Sequence, residues 1–305
     1  MEIQGLALKG YLHRTYAESF KEFGTLVELK NAGAYIIKRK IGQGNWYDAM
    51  GCYPLFTCMS WEKLGDDLNA LNRSLVSFAM VADPLGDYSP KQLQKIFPDV
   101  CFAFKKHYIV DLQAFREKNL PQNHKRNSRK ALNALTIHRL KEPEHHFGDW
   151  VKMYKNLVQR HRIRGIADFT EQAFHTQFSV PGLIAYGAFD KGALVGMALF
   201  YEMGERVYYH LAAYRDQGYR KSASFGILLK AILDFRQQGY KWLNLGGGAG
   251  LQEQPNDGLI RFKRGWANTM KTAWFCGKIL DREAYATLTH DSRKNNFFPA
   301  YRQHF

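Results

Sequence analysis

The residues of this chain that could do chemistry are clusters of cations, one mid-strand histidine and a few glycine- or aromatic-lined turns. Lys125, Arg126, Arg129 and Lys130 fall within six residues, shortly after Pro121. A helix starting there sets Arg126 and Arg129, three apart, on adjacent turns of one face. Two guanidinium groups near a helix N-terminus suit a phosphate group. The alternative is a solvated helix face, with Ala131, Leu132 and Leu135 on its buried side. Arg220 and Lys221 make a second cationic pair ahead of another helix start. His210 lies in the β-branched and aromatic run 207–214. Strict alternation puts Val207, Tyr209 and Leu211 on one face and Tyr208, His210 and Ala212 on the other. A neutral imidazole there either relays a proton or is hydrogen-bonded within a core. Trp46, Tyr47 and Tyr53 flank Gly51-Cys52 and supply either an acceptor-binding wall or core packing.

Several chemistries lack their residues. There is no Cys-x-x-Cys pair and no His-Glu-x-x-His, and His145-His146 are neighbours that point different ways on a helix, so no metal is expected. Gly246-Gly247-Gly248-Ala249-Gly250 is followed by no Gly-Lys-Ser/Thr. Leu251 stands where a dinucleotide fingerprint needs glycine, and Gln254-Pro255-Asn256 bars a helix from starting straight after it. Ser222-Ala223-Ser224-Phe225-Gly226 is only part of a nucleophile elbow, so a serine hydrolase is not expected.

The elements that must position these residues are clearest in the second half. A strand over 136–140 precedes a helix whose first turn holds Pro143 and which runs to His161, with Trp150, Val151, Tyr154 and Leu157 on one face. A second helix covers 170–178. Strands 183–189, 193–201 and 207–214 form a meander turning at Asp190-Lys191-Gly192 and Met203-Gly204-Glu205. Ser222 or Ser224 caps a helix that Gly239 stops. Strand 240–245, a short helix over 258–266 and strand 269–280 follow. The first half repeats part of this order, with strands 25–29, 34–41, 76–81 and 102–112 and a helix over 64–75. The expectation is a mixed α/β layer fold of two related lobes, 1–135 and 136–305, each a mostly antiparallel sheet flanked by helices.

Of 305 residues, 46% are apolar and 23% charged, which excludes a disordered chain, a coiled coil and a collagen-like repeat. No apolar run is long enough to span a bilayer and no secretory signal is visible. Four scattered cysteines give no disulfide framework, and a cytoplasmic location is the natural expectation. Lys and Arg total 43 against 28 Asp and Glu, a net charge of +15. That excess favours anionic partners: nucleic acid, nucleotide carriers, phosphorylated substrates or peripheral contact with an anionic membrane surface.

Four segments together carry a family resemblance. Tyr208-Tyr209-His210-Leu211-Ala212-Ala213, Leu228-Leu229-Lys230-Ala231-Ile232, Leu243-Asn244-Leu245-Gly246-Gly247-Gly248 and Gly258-Leu259-Ile260-Arg261-Phe262-Lys263-Arg264-Gly265-Trp266 resemble the C-terminal lobe of the Fem-like transferases. The basic stretch 126–131 resembles the Arg-rich helix between that family's lobes. The resemblance implies a double GNAT fold, with 1–135 the degenerate lobe. It also implies transfer of an acyl or aminoacyl group from acyl-CoA or aminoacyl-tRNA to an amine, with a cell-envelope precursor as the acceptor. In that reading Lys263 stabilises the oxyanion, His210 handles a proton, and Arg126, Arg129, Arg220, Lys221, Asn244, Trp46 and Tyr53 bind substrate. One departure stands out: where GNAT enzymes carry Arg/Gln-x-x-Gly-x-Gly/Ala for the coenzyme A pyrophosphate, this chain has Arg220-Lys221-Ser222-Ala223-Ser224-Phe225. A bulky Phe225 is expected to hinder backbone approach to a pyrophosphate there. The donor therefore stays open between acyl-CoA and aminoacyl-tRNA. An ordinary acyl-CoA N-acyltransferase and a non-catalytic nucleic-acid binder are the competing readings.

Overall fold

The computed structural model describes residues 8–71, 74–250, 257–290 and 297–302. Along the chain come α1 (Arg14–Glu18), β1 (Thr25–Leu29), β2 (Ala34–Ile41), β3 (Trp46–Gly51), α2 (Leu64–Ala70), β4 (Ser77–Val81), α3 (Pro90–Ile96) and β5 (Val100–Asp111). Then follow α4 (Gln122–Ala134), β6 (Thr136–Leu140), α5 (Phe147–His161), α6 (Glu171–Phe178), β7 (Leu183–Asp190), β8 (Ala193–Met203) and β9 (Arg206–Tyr214). The remainder is α7 (Asp216–Arg220), α8 (Ala223–Gln237), β10 (Trp242–Asn244), α9 (Gly258–Trp266), β11 (Thr269–Ile279) and α10 (Arg282–Thr289). The strands and helices expected in the second half are all present. Pro143 opens a 3-10 turn, 143–146, that leads directly into α5. The short helices α1, α3, α7 and α10 and the strand β3 were not legible from periodicity, being too brief to repeat it.

Contacts divide the chain into two compact units that interleave its halves: residues 1–10 with 106–271, and residues 11–105 with 272–305. In the first, strands run in the order β5-β10-β9-β8-β7-β6. Only β9 and β10 are parallel; the other neighbours are antiparallel. One sheet face packs on α8. Val207, Leu243, Leu245, Tyr108 and Val110 meet Ile227, Leu228, Ala231, Ile232 and Phe235 of that helix, with Ile260 and Trp266 of α9 in the same core. In the second unit β1-β2-β3-β4-β11 form the sheet, parallel only between β3 and β4. Its core gathers Ile36, Phe56, Trp61, Leu64, Leu68, Phe78, Leu93 and Phe97.

Two local features of the first unit differ from the expectation. The β8–β9 register shifts between Phe200↔Tyr209 and Leu199↔Leu211, so His210 is the extra residue of a β-bulge. Alternation breaks there, and Ala212 returns to the α8 side with Tyr209. Helix α4 buries His124, Ser128, Ala131 and Leu135, whereas Leu132 is 45% exposed. The buried stripe steps 124, 128, 131, 135, alternating four and three residues to follow the helical repeat, and a second step of four, to 132, drifts off it.

Candidate active site

The parallel ladder of β9 and β10 ends at Asn244↔Tyr208. Beyond it β9 stays with β8 as far as Tyr214, while the chain after β10 stays with β5, through Leu245 N–H to Tyr108 C=O (2.9 Å) and Tyr108 N–H to Gly246 C=O (3.1 Å). The two strands fork, and the sequence-predicted residues His210, Asn244 and Lys263 all belong to this fork.

Lys263 reaches it from α9. Asp257 starts that helix by accepting the Leu259 N–H at 2.8 Å, and Ile260 and Trp266 anchor it in the core, which leaves Lys263 turned towards the glycine run. Its side chain is 8% exposed, and Nζ donates to the Gly247 carbonyl at 2.7 Å. A Cβ on Gly246 would stand 3.2 Å from that Nζ, and Gly246 has φ +77°, so both space and backbone call for glycine here. Among the described glycines, 246–248 and 250, the chain forms a strand-end turn against a lysine. Gln254-Pro255-Asn256 lies outside the described residues.

Asn244 is buried at the mouth of the fork. Its Oδ1 accepts from Gly246 N–H at 2.8 Å and lies 3.1 Å from His107 Nδ1. His107, on β5, was not singled out in the sequence because a lone strand histidine belongs to no motif.

His210 is 8% exposed, its Nε2 lies 3.2 Å from Gln177 Oε1, and its ring packs 5.0 Å from Tyr201. Gln177, another residue missed in the sequence, comes from α6 and also accepts the Tyr201 hydroxyl on its backbone carbonyl at 2.8 Å. Burial pushes the His210 pKa down to about 3, so the imidazole is neutral at physiological pH.

The cations lie further out in the same unit. Arg126 and Arg129 are exposed on α4, and Lys125 is engaged by the Lys118 carbonyl at 2.6 Å. Helix α4 is fixed to α9 by His124, which donates from Nε2 to the Phe262 carbonyl at 2.9 Å; its ring lies so close to Gly265 that a Cβ there would come within 2.0 Å. Arg220 is exposed at the end of α7. Lys221 is paired with Asp190, whose carboxyl that hydrogen bond holds below the usual carboxylate range. Ser222 occupies the N-cap of α8 with φ 59° and makes no capping bond through its side chain. The Phe225 ring is part of an aromatic cluster. It packs 4.9 Å from Phe262 and 5.1 Å from His124, tying α8 to α9 and α4. Trp46 and Tyr53 belong to the other unit, Trp46 at the start of β3 and more than a third exposed, Tyr53 two residues past its end and partly buried.

Residues 118–264 match the family model described as an acetyltransferase (GNAT) domain, a segment that falls inside the first unit. Among solved structures the chain is similar to FemX, with TM-score 0.64 and 12% identity over 90% of this chain and 93% of that one. It is also similar to the C-terminal domain of a putative lysylphosphatidylglycerol synthetase from Agrobacterium fabrum, with TM-score 0.63 and 14% identity over 91% and 90%. A third similar structure is L-PGS from Bacillus licheniformis, with TM-score 0.57 and 14% identity over 90% and 94%. At these identities the likeness establishes the fold. No curated protein matches the chain significantly. Residues 118–264 thus match a GNAT acetyltransferase domain model, and the chain shares the fold of FemX. Among the described residues no helix is long and apolar enough to cross a membrane.

Proposed function

We propose that this protein transfers an acyl or aminoacyl group from an activated carrier, acyl-CoA or aminoacyl-tRNA, to an amine on a cell-envelope precursor in the cytoplasm. The observation that carries the reading is the Lys263 amino group, buried beside the glycine turn where β9 and β10 part. Acyl transfer needs a fixed positive group where the carbonyl oxygen becomes an oxyanion, in a place shielded from water. Two features of Lys263 support the reading: the Gly247 carbonyl holds Nζ, and the residue is buried.

In this mechanism the acceptor amine attacks the carbonyl carbon of the bound ester or thioester. A C–N bond forms, and the negative charge that gathers on oxygen is met by Lys263. As the charge collapses, the C–O or C–S bond to the carrier breaks. The carrier leaves as its alcohol or thiol, taking up the proton that the amine gives away. Binding both partners in one cleft removes the entropy cost of their encounter. Exposed Arg126, Arg129 and Arg220 are the proposed grips for phosphate groups on carrier or acceptor; for Arg126 and Arg129 the reading is supported by the lack of any acidic residue on α4.

Lys263→Ala is expected to lower turnover at least ~100-fold, the usual loss for one oxyanion-stabilising group. The circular-dichroism spectrum of the variant should match that of the parent. Parental turnover in this variant, with either carrier, removes Lys263 from the chemistry and the transferase reading loses its support.

A further inference from the structure

The orientation of the Asn244 amide is decided by its neighbours. Gly246 N–H can only donate, so the atom 2.8 Å from it is Oδ1. His107 Nδ1 approaches the same oxygen at 3.1 Å and must therefore carry its proton there. Two donors converge on Oδ1, which turns Nδ2 and its two N–H groups the other way. Nδ2 is buried, in a side chain only 2% exposed, and has no hydrogen-bond partner among the described residues. Unpaired buried amides are selected against, and one that persists asks for an acceptor. The ammonium of Lys263 cannot be that acceptor, having only donors. Both Asn244 and Lys263 abut Gly246, one through its N–H and the other across its missing Cβ.

We propose that Asn244 Nδ2 donates to the carbonyl oxygen of the acyl group being transferred, and that His107 is the positioning residue that aims it. The inference rests on the transferase reading above and deepens it. A neutral amide donor suits a ground-state carbonyl, which carries no net charge, whereas the Lys263 ammonium gains most when charge develops. Asn244 therefore governs capture of the acylated carrier, while Lys263 governs the rate of its reaction. His107 does not touch substrate. Its Nδ1–H keeps the amide from rotating, as Gly246 N–H does from the chain side.

The test compares each carrier with and without its carbonyl: acetyl-CoA against coenzyme A, and alanyl-tRNA against uncharged tRNA, by equilibrium binding. The parent protein should bind the acylated member of one pair about tenfold more tightly, the worth of one good hydrogen bond. Asn244→Asp and His107→Phe should each erase that preference while leaving affinity for the bare carrier unchanged. His107→Gln, whose amide can still donate to Oδ1, should keep it and guards against a variant that merely fails to fold. In parallel, 15N spectra of histidine-labelled protein should show His107 protonated on Nδ1. An acyl preference that survives Asn244→Asp, or a His107 protonated on Nε2 alone, overturns the proposal. If neither pair binds the parent protein, the transferase reading falls and takes the carbonyl with it, and the tautomer measurement still decides whether His107 aims the amide.

Discussion

A buried histidine lies on one arm of the fork and a buried lysine reaches it from α9, and their environments differ. His210 has lost its hydration without gaining an anion, so its pKa falls to about 3. A base that weak holds no proton at neutral pH, which supports a role in shaping the bulge through Gln177 and Tyr201 over one as proton acceptor. The sign of the linkage follows. The unfolded chain binds a proton at His210 below about 6.5 and the folded chain does not until about 3, so this residue's contribution is whole above 6.5 and is lost as pH falls towards 3. Between those limits His210→Gln should flatten the pH dependence of unfolding free energy by up to about 1.4 kcal/mol per pH unit. Urea titrations of parent and variant from pH 3 to 7 read it directly, and parallel curves would mean that His210 titrates normally. At this scale the sequence showed residue types but not environments. Lys263 on a nine-residue amphipathic helix reads equally as a surface lysine, because the glycine turn that covers it comes from a different element.

At the scale of elements, α4 shows how much a pattern can carry. Its basic face, its start after Pro121 and its packing through Ala131 and Leu135 were all legible, since each depends on local spacing. Its real anchors were hidden in the charge run. His124 and Ser128, four apart, hold α4 to the Phe262 and Phe225 carbonyls, and their partners lie about a hundred residues or more away. Because Arg126 and Arg129 are exposed and those anchors are separate, function and stability can be divided by mutation. Arg126→Ala with Arg129→Ala should raise the Michaelis constant for the phosphorylated substrate at least tenfold, given roughly 1.5–3 kcal/mol for each charge-assisted contact. Turnover and melting temperature should move little, and the salt dependence of binding should flatten. A double variant that melts early and binds normally would make the run structural. The β-bulge at His210 gives the opposite lesson. Periodicity assigned Ala212 to the His210 face, and only the pairing with β8 revealed the extra residue.

At the scale of the molecule, the second unit is assembled from sequence-distant pieces, and a buried charge cluster fastens them. Asp48, wholly buried on β3, receives Arg39 from β2 and a bidentate Arg302 from the far end of the chain, while Tyr301 shares a 2.7 Å hydrogen bond with Ser77. Arg302→Ala leaves Asp48 to Arg39 alone and should lower unfolding free energy by about 2 kcal/mol, within the range for hydrogen bonds to charged groups. Denaturant midpoints measure it, and an unchanged midpoint would show that Arg39 suffices. The GNAT match lies within the other unit, so the loss of stability should begin away from the fork.

The sequence by itself determined most of the elements, because the longer strands and helices write their period into hydrophobicity, whereas α1, α3, α7, α10 and β3 left no such trace. It also carried the family resemblance, through the glycine run and the Phe-Lys helix. Tertiary structure alone decided where the motifs lie and what they touch. The interleaved units, the fork after Tyr208 and Asn244, the orphaned amide of Asn244 and the pairing of Lys221 with Asp190 each depend on which distant segment lies alongside. A hydrogen bond between residues 107 and 244, or a lysine at 263 held by the carbonyl of 247, leaves no period in the sequence. Local patterning fixes what a segment becomes, but burial and partnership, which set pKa and reactivity, are properties of the neighbours that folding supplies.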